Sequence, residues 1–289
     1  MKKLFFSLVL AMFCFVSFGF ADVEGASRTY KIGDLTFIAV KDLDTNMGKQ
    51  ILARPNDPVV KKVMPDNQNP STINTFVLKT KNKIILFDTG VGAGGELVKN
   101  LQGVAIAPKD IDIVVLTHMH GDHIGGLIGA NNEKVFTKAE IYVAKPELEY
   151  WINNISLDVG TSNLARTINN VYGDKVKMFE WGDAITPEVK SVKAFGHTPG
   201  HTMYEISSGT HKLWVVGDII HSLKVQMADI SMSVTFDVNQ KQAAETRKAI
   251  IKEAEEKKIR IAGMHIPFPG VGTLTETSSG IYFFNPSVK

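Results

Sequence analysis

The sequence predicts an α+β fold in which two β-sheets pack face to face with helices on their outer sides, a four-layer αββα sandwich. Stretches with strand-like alternation open and close the chain, and helical patterns lie between and after them. Each sheet or helix has an apolar face that must be buried against another layer, which favours this arrangement. The 289 residues, 44% of them hydrophobic, are enough for one large core. We therefore predict one folded domain, residues 22–289, preceded by a leader.

Residues 1–21 have the composition of a cleavable secretory signal peptide. Lys2 and Lys3 give a basic start, residues 4–20 are almost wholly apolar, and Gly19-Phe20-Ala21 offers small residues for cleavage. A membrane anchor is the rival interpretation, because the apolar run is near the short end of a spanning length. The small-residue exit without a basic flank favours cleavage. We predict a secreted or periplasmic protein without stable membrane insertion.

Charge and cysteine content narrow the possible partners and ligands. Cleavage after Ala21 removes two lysines and no acids, so the net charge of +2 becomes zero. A neutral chain lacks the basic field of a nucleic-acid-binding protein, so we expect a small-molecule substrate. Cys14 lies in the leader after a poor lipidation signal, so lipidation is disfavoured. The mature chain has neither disulfides nor thiolate ligands, and it is compatible with a homodimer.

The first half of the domain is typical of hairpins followed by a short helix and a buried strand. Residues 28–40 alternate in the strand manner around a Gly33-Asp34 turn. Residues 43–72 are polar and rich in Asn, Asp and Pro, which predicts a long loop that forms either a wall of a substrate cleft or a plain surface excursion. The other predictions here are a hairpin from 75–79 to 83–87, a helix over 96–101, a turn at 108–110 and a strand at 113–116.

Two helices are predicted in the second half of the chain. Pro146 suits the first position of a helix that carries Tyr150 and Trp151, for which core packing is favoured over lining a cleft. Asn239 is a suitable cap for a helix with one apolar face that runs to about Lys258.

The strands of the second half surround these helices. His211 falls in a predicted turn, where a solvated side chain is expected. The predicted segments are a strand at 134–143, a partly helical stretch at 153–172, strands 175–180 and 189–195 joined by a turn at 181–183, strands 202–207 and 212–217, and strands at 259–262 and 280–285.

Residues 117–123 hold three histidines and one carboxylate directly after an apolar run. Neutral imidazole and carboxylate are the usual ligands of zinc and similar divalent ions. His118 and His120 lie two residues apart and can point the same way in an extended segment. Asp122 and His123 lie beyond a turn glycine and can face a second ion. Because chance rarely gives this pattern behind a buried strand, we interpret it as a metal site rather than a polar loop.

Four candidate ligands each follow a short apolar strand-like segment: His118, His197, Asp218 and His265. The carboxyl ends of neighbouring strands meet at one edge of a sheet, where the ligands of open sheets collect. This argument alone predicts that the four side chains gather in one cleft.

These motifs resemble the signature of the metallo-β-lactamase superfamily. The resemblance extends over nearly the whole chain after the leader, because four motifs follow in the order of that family. They are residues 117–123, Gly196-His197-Thr198-Pro199-Gly200-His201, Val216-Gly217-Asp218 and Gly263-Met264-His265. The resemblance implies the same αββα sandwich.

The resemblance also implies the ligands of a two-metal centre. It assigns His118, His120 and His197 to the first cation, Asp122, His123 and His265 to the second, and Asp218 to both as a bridge. Asp122 and Asp218 thereby take catalytic roles. His201 is implied to be a loop brace rather than a ligand, and Asp88 is implied to support the metal loop.

The chemistry implied is hydrolysis. Two such cations lie about 3.5–4 Å apart and lower the pKa of a shared water to around 7. The resulting hydroxide attacks an ester-like bond of a lactone, a carboxylic ester or a phosphotriester. Zinc is the expected metal for His and Asp ligands, with Mn, Fe, Co and Ni as alternatives. The alternative function is a non-catalytic protein of the same fold that uses the site to bind a metal or ligand.

Several branches of the superfamily fit less well. Some β-lactamases need a Cys ligand that the mature chain lacks, and others lack the bridging carboxylate matched by Asp218. Glyoxalase II and tRNA-processing nucleases need an extra domain or a basic surface. The sequence is most similar to methyl-parathion-hydrolase-like proteins, through residues 217–221 and 265–272. N-acyl-homoserine lactonases share the ligand set but typically place Tyr near His221. The hydrolase class follows from the resemblance, whereas the fold does not fix the substrate.

Two residues are predicted to bind substrate. His221 lies three residues after Asp218, so a turn there can aim its ring into the cleft. Packing in the pocket wall is its favoured role, and action on the leaving group is the alternative. Phe268 lies in the 265–272 segment and is placed in the cleft with it.

Overall fold

A computed structural model describes residues 23–154 and 158–287. The predicted signal peptide, with Cys14, lies outside the described residues. Within the described ranges, no helix combines the length and the apolar character that crossing a bilayer requires.

Two seven-stranded mixed sheets form the centre of the molecule. The first sheet has its strands in chain order: β1 Ser27–Ile32, β2 Leu35–Asn46, β3 Pro70–Lys79, β4 Ile84–Phe87, β5 Ile113–Val115, β6 Glu140–Ala144 and β7 Val176–Phe179. The second sheet also has them in chain order: β8 Ala184–Thr186, β9 Val189–Lys193, β10 Thr202–Ser208, β11 His211–Gly217, β12 Arg260–Gly263, β13 Val271–Glu276 and β14 Tyr282–Pro286. Pairing is parallel from β4 to β7 and between β11 and β12, and antiparallel elsewhere.

Helices connect and cover these strands. They are α1 Pro58–Val63, α2 Leu97–Gly103, α3 Gly121–Ile124, α4 Lys145–Asn153, α5 Val159–Tyr172, α6 Leu223–Ala228 and α7 Gln240–Glu256. The predicted cap of α7 is confirmed, because the side chain of Asn239 accepts a hydrogen bond from the Gln242 amide at 3.1 Å.

Alternation along each strand builds the layers. On β2, Phe37 faces a core between the two sheets, where its ring stacks on Phe76 at 5.3 Å between centroids. The next residue, Ile38, faces a second core under α2, α4 and α5. A third core lies between the second sheet and α7, where Ile250 and Ile251 pack. Successive strand residues point to opposite faces, so the sheets bury both faces, and the predicted αββα sandwich is confirmed.

The segment predicted as a long loop at 43–72 is more ordered than the sequence suggests. Strand β2 continues to Asn46, β3 begins at Pro70, and α1 lies between them. The segment has its own apolar cluster with α6 and the 232–234 stretch. The Ala53 amide donates to the Ser233 carbonyl at 2.9 Å, and the Thr235 amide donates to the Ile51 carbonyl at 2.7 Å. These bonds hold the segment against the rest of the domain.

The strands predicted at 175–180 and 189–195 are present, but they lie in different sheets. Strand β7 pairs with β6 in the first sheet, whereas β9 pairs with β8 and β10 in the second. The turn at 181–183 therefore carries the chain from one sheet to the other. The predicted strand 134–143 begins only at Glu140, and β8, β13, α1 and α6 were not predicted. His211 is exposed, as expected, although it starts β11 rather than lying in the turn.

Candidate metal centre

Four segments that follow strand ends meet at one side of the sandwich, as the sequence predicts. His118 follows β5, His197 follows β9, Asp218 follows β11 and His265 follows β12. All four are buried. The turn into Asp218 requires glycine, because Gly217 has φ +58° and a Cβ there would lie 2.5 Å from His201 Nε2. The backbone thus brings these side chains together at one side of the sandwich.

The first group of donors consists of His118, His120 and His197. His120 Nδ1 lies 2.9 Å from His118 Nε2 and 3.0 Å from His197 Nε2. Asp218 Oδ2 lies 3.6 Å from His118 Nε2 and 3.4 Å from His197 Nε2. Ligand atoms around a tetrahedral zinc ion lie about 3.3 Å apart, given bonds of about 2.0 Å. The four atoms therefore have nearly the spacing of a zinc coordination shell.

The second group consists of Asp122, His123 and His265. Helix α3 carries Asp122 and His123, and His265 Nε2 lies 3.3 Å from Asp122 Oδ2. Asp218 Oδ2 lies 3.3 Å from His123 Nε2 and 3.1 Å from His265 Nε2. The same carboxylate oxygen therefore lies against both groups, in the position of a bridge.

The donor set fits divalent cations. His123 Nε2 and Asp218 Oδ1 are buried, and neither has a hydrogen-bond partner within the described ranges. Leaving a buried polar atom unpaired costs about 1–3 kcal/mol, and a cation removes that cost. Burial and the neighbouring His197 lower the pKa of His120 to about 3. Although burial opposes it, the facing His123 and His265 keep the pKa of Asp218 well below its ordinary value. Neutral imidazole and ionised carboxylate are the forms that bind metals.

Buried carboxylates orient two of the imidazoles from behind. Asp88 Oδ2 lies 2.7 Å from His123 Nδ1 and also accepts a hydrogen bond from Thr117 Oγ1 at 2.6 Å. This is the supporting role that the resemblance implied for Asp88. Asp237 Oδ1 lies 2.9 Å from His197 Nδ1. Such contacts fix the ring orientation and the tautomer of a ligand. No signal in the sequence pointed to Asp237.

His201 uses both ring nitrogens away from the cluster. Its Nδ1 lies 2.8 Å from the Ala194 carbonyl, and its Nε2 accepts a hydrogen bond from the Asp218 amide at 3.0 Å. The ring therefore ties the backbone of Asp218 to the 194–201 loop. The structure places His201 as a brace, where the sequence predicted one.

Glu147 connects the 117–123 segment to the 194–201 loop. The sequence did not predict this role, because the position of Glu147 after Pro146 indicated only a favourable helix start. Its Oε1 accepts from the Met119 amide at 2.9 Å and Trp151 Nε1 at 2.7 Å. Its Oε2 accepts from Thr198 Oγ1 at 2.7 Å and the Gly200 amide at 2.9 Å. Burial raises the pKa of Glu147, although these four donors oppose the shift.

We expect Glu147→Gln to destabilise the protein by about 2–4 kcal/mol. A glutamine amide group must face two of the four donors, and each buried donor left unpaired costs roughly 1–3 kcal/mol. Urea unfolding of the metal-free protein measures the change. Glu149→Gln is the matched control, because Glu149 is exposed on the same helix. Equal stability of the two variants would contradict a structural role for Glu147.

A cleft of about 700 Å³ opens over the donor cluster. Met47 and Ile51 line it, so the 43–72 segment forms a cleft wall rather than a plain surface excursion. The other lining residues are His120, Gly121, Asp122, Tyr150, Trp151, Asp158, Thr161, Asp218, His221, Thr235, Phe236, Asp237, Val238 and His265.

The predicted core packing of Tyr150 and Trp151 is confirmed, and both residues also line the cleft. Trp151 is buried in the core under the helices, yet it also lines the cleft, with its ring 5.4 Å from that of His120. Tyr150 is a partly buried residue of the cleft wall. Phe236 and Val238, about half exposed, were not predicted.

His221 and Phe268 have different positions. His221 lines the cleft, with its Nε2 3.1 Å from Asp218 Oδ2 and its ring stacked on His265 at 5.1 Å. Phe268 is absent from the cleft lining. It packs partly buried against the core between the sheets, 6.0 Å from the Lys41 ammonium. The role of Phe268 in substrate binding therefore stays a prediction, since its ring lies outside the lining of this cleft.

Comparisons with known proteins agree with this architecture. Residues 69–265 match the family model described as Metallo-beta-lactamase superfamily. The structure is similar to that of AidC, a dizinc quorum-quenching lactonase in complex with a product, with a TM-score of 0.82 at 27% identity, covering 91% of this chain and 98% of that one. It is also similar to the hydrolase AbOPH of the beta lactamase superfamily, with a TM-score of 0.84 at 26% identity, covering 91% of this chain and 98% of that one.

Sequence similarity to curated relatives is more local. The chain is 34% identical to ribonuclease Z of Ligilactobacillus salivarius over 111 residues, 36% of this chain and 33% of that protein. It thus spans about a third of that relative's length. The family model covers more than half of the chain, and the protein belongs to the metallo-beta-lactamase superfamily.

Proposed function

We propose that this protein is a dinuclear metal-dependent hydrolase that cleaves an ester-like bond in a small molecule. The observation that carries the proposal is the position of Asp218 Oδ2, which lies 3.1–3.6 Å from an imidazole nitrogen of His118, His123, His197 and His265. One oxygen that faces two groups of donors is the arrangement that a two-cation site needs. The likeness to AidC, described as dizinc, supports two cations and zinc in particular.

The chain's own residues would hold the cations and shape the site. His118, His120 and His197 would hold one cation, Asp122, His123 and His265 the other, with Asp218 between them. Bound there, two divalent cations supply an acidified water as nucleophile and Lewis-acid polarisation of the substrate oxygen. Zinc suits this donor set, and Mn, Fe, Co and Ni are alternatives.

The cleft favours a substrate with an apolar group next to the scissile bond. Met47, Ile51, Trp151, Phe236 and Val238 form an apolar surface beside the donor cluster. This surface can bind an acyl or aryl group and keep bulk water away from it. Lactones, carboxylic esters and phosphotriesters with such groups are the proposed substrate classes.

RNA is a less suitable substrate, despite the local similarity to ribonuclease Z. The cleft lining within the described ranges has no lysine or arginine. A phosphodiester chain needs basic side chains along its backbone. The lack of basic side chains in the lining therefore supports a small molecule rather than RNA.

A hydrolysis panel tests the proposed function. Residues 22–289 are reconstituted with zinc and assayed on aryl esters, lactones of increasing acyl length and phosphotriesters. We expect metal-dependent turnover that improves as the apolar group grows. Two tightly bound cations without turnover on any class would instead favour a non-catalytic binding protein. We further propose that the protein is exported, which cell fractionation with a leader-deleted control would test.

Two roles remain for His221: packing in the pocket wall, which the sequence favours, and action on the leaving group. Burial lowers the pKa of His221 to about 4, so its ring is neutral at pH 7, and its Nδ1 has no partner within the described ranges. A neutral ring in the cleft can still bind a substrate oxygen by a hydrogen bond. If His221 acts on the leaving group, His221→Ala should keep the cations but lose activity mainly on esters with poor leaving groups. An equal loss across a leaving-group series, or none, would leave His221 as part of the wall.

A further inference from the structure

Arg247 is the largest fully buried side chain in the described part of the protein and carries a charge. It lies on α7, away from the cleft, and is 1% exposed. Its Nε donates to the Ile219 carbonyl at 2.7 Å. Its Nη1 donates to the carbonyls of Ile230 at 3.1 Å and Met232 at 2.8 Å. The guanidinium is therefore fixed by three backbone carbonyls from two segments of the chain.

The remaining contact of Arg247 leads to the donor cluster. Its Nη2 lies 3.7 Å from Asp237 Oδ2. The other oxygen of that carboxylate, Oδ1, lies 2.9 Å from Nδ1 of His197. His197 Nε2 in turn lies 3.0 Å from His120 Nδ1 and 3.4 Å from Asp218 Oδ2. A continuous chain of buried polar groups therefore runs from α7 to one side of the cluster.

We propose that Arg247 is a positioning residue that sets the affinity of the His118–His120–His197 position for its cation through Asp237. A buried carboxylate needs compensating charge and donors to keep one orientation. Asp237 receives them from Arg247 and from the Val234 amide, which donates to Oδ2 at 2.9 Å. The orientation of the Asp237 carboxylate then fixes the ring of His197. This inference rests on the proposed two-cation site.

The same series of buried polar groups also positions part of the cleft wall. Phe236 and Val238, on either side of Asp237, both line the cleft. The Val238 amide donates to the His197 carbonyl at 2.9 Å. Asp237 therefore turns inward towards the histidine while its neighbours face the substrate side. A shift of Asp237 would move both the ligand and the wall, so Arg247 controls two parts of the site from outside it.

Metal titration separates this role from a purely structural one. The wild type is first titrated with zinc against a chromophoric chelator, which should resolve two binding steps. His197→Ala and His265→Ala identify the steps that belong to the two positions. One binding step is abolished by His197→Ala. We expect Arg247→Met to reduce the zinc affinity of that step by 10–100-fold, the usual effect of removing an outer contact. The step that His265→Ala abolishes should stay within about threefold of wild type, well below that range. Lys248→Met, at an exposed position of the same helix, is the matched control.

A double-mutant cycle then tests the route through Asp237. If Arg247 acts through that carboxylate, Arg247→Met should have little further effect on zinc affinity in an Asp237→Asn background. The bands of the cobalt-substituted protein should shift alike in both single variants. If Arg247→Met does not fold, Arg247→Lys is the second variant. It keeps the positive charge but loses the planar guanidinium group, and it should reduce the zinc affinity of the same step several-fold.

Three results would overturn the inference: wild-type zinc titration in Arg247→Met, equal weakening of both steps, or full additivity with Asp237→Asn. Failure of the proposed function is distinguishable. It would appear in the wild type itself, as the absence of two zinc steps or of turnover on the hydrolysis panel.

Discussion

We expect His197→Ala to lose one cation and nearly all hydrolytic activity, whereas His201→Ala should lose activity by only about 10–100-fold. The two histidines lie four residues apart in one motif, but the structure separates their surroundings. His197 Nε2 faces His120 and Asp218 at 3.0 and 3.4 Å. Both nitrogens of His201 are engaged with the backbone of Ala194 and Asp218. Removing His197 deletes a metal ligand, whereas removing His201 only loosens the backbone that holds the ligand Asp218.

The measurement is elemental analysis together with kcat/KM for each variant. His211→Ala is the control, because His211 is exposed at the start of β11. It should behave like the wild type. If His201→Ala lost the cation and His197→Ala kept it, the proposed ligand assignment would be wrong.

The candidate donors could be predicted from the sequence because their signal is local. His118, His120, Asp122 and His123 lie within seven residues, and a metal requires such a cluster. His197, Asp218 and His265 lie far apart in sequence, but each follows an apolar strand, and strand ends meet at one edge. The αββα layers could be predicted for a similar reason, since apolar alternation shows which faces must be covered.

The supporting groups could not be predicted because they depend on contacts between distant segments. Asp237 lies 40 residues from His197, and Glu147 lies 51 residues from Thr198. A lone buried carboxylate has no periodicity and no spacing rule. Arg247 lies on a helix whose pattern is otherwise that of an ordinary amphipathic surface helix. Only the fold shows that such residues face ligands rather than solvent.

The assignment of strands to sheets could not be predicted for a similar reason. Residues 175–180 and 189–195 are two strands joined by a turn, and local pattern alone gives no reason to assign them to different sheets. Strand β7 adds to the first sheet because β6 offers it a parallel partner. The position of Phe268 could not be predicted from local pattern, because an apolar residue near a ligand motif can face either the cleft or the core.

Elemental analysis should show two cations per chain. Chelation should remove all activity and lower the melting temperature by roughly 10 °C. A ligand whose free concentration is 1,000 times its Kd stabilises the folded state by about 4 kcal/mol. For a domain of this size, 1 kcal/mol corresponds to about 2–4 °C in melting temperature. The fold should persist without cations, because the three large apolar cores lie outside the donor cluster. Zinc should restore the lost stability, and calcium should not, because it prefers oxygen ligands. One tightly held ion without activation by a second would contradict the two-cation site.

The difference in melting temperature between the zinc-loaded and the chelated protein should depend on pH, and the pKa of His197 sets the direction. Although burial opposes it, the contacts with Asp218 and Asp237 raise the pKa of His197 to about 9 in the absence of a cation. A raised histidine pKa stabilises the metal-free protein fully below the ordinary value of 6.5, and this contribution is lost as the pH rises to about 9. A cation must displace that proton, so it binds more tightly as the pH rises over the same interval. Both effects increase the stability of the zinc-loaded protein relative to the metal-free protein as the pH rises. The difference in melting temperature between zinc-loaded and chelated protein should therefore widen from pH 6.5 to pH 9, and a constant or narrowing difference would show that His197 does not exchange a proton for a metal.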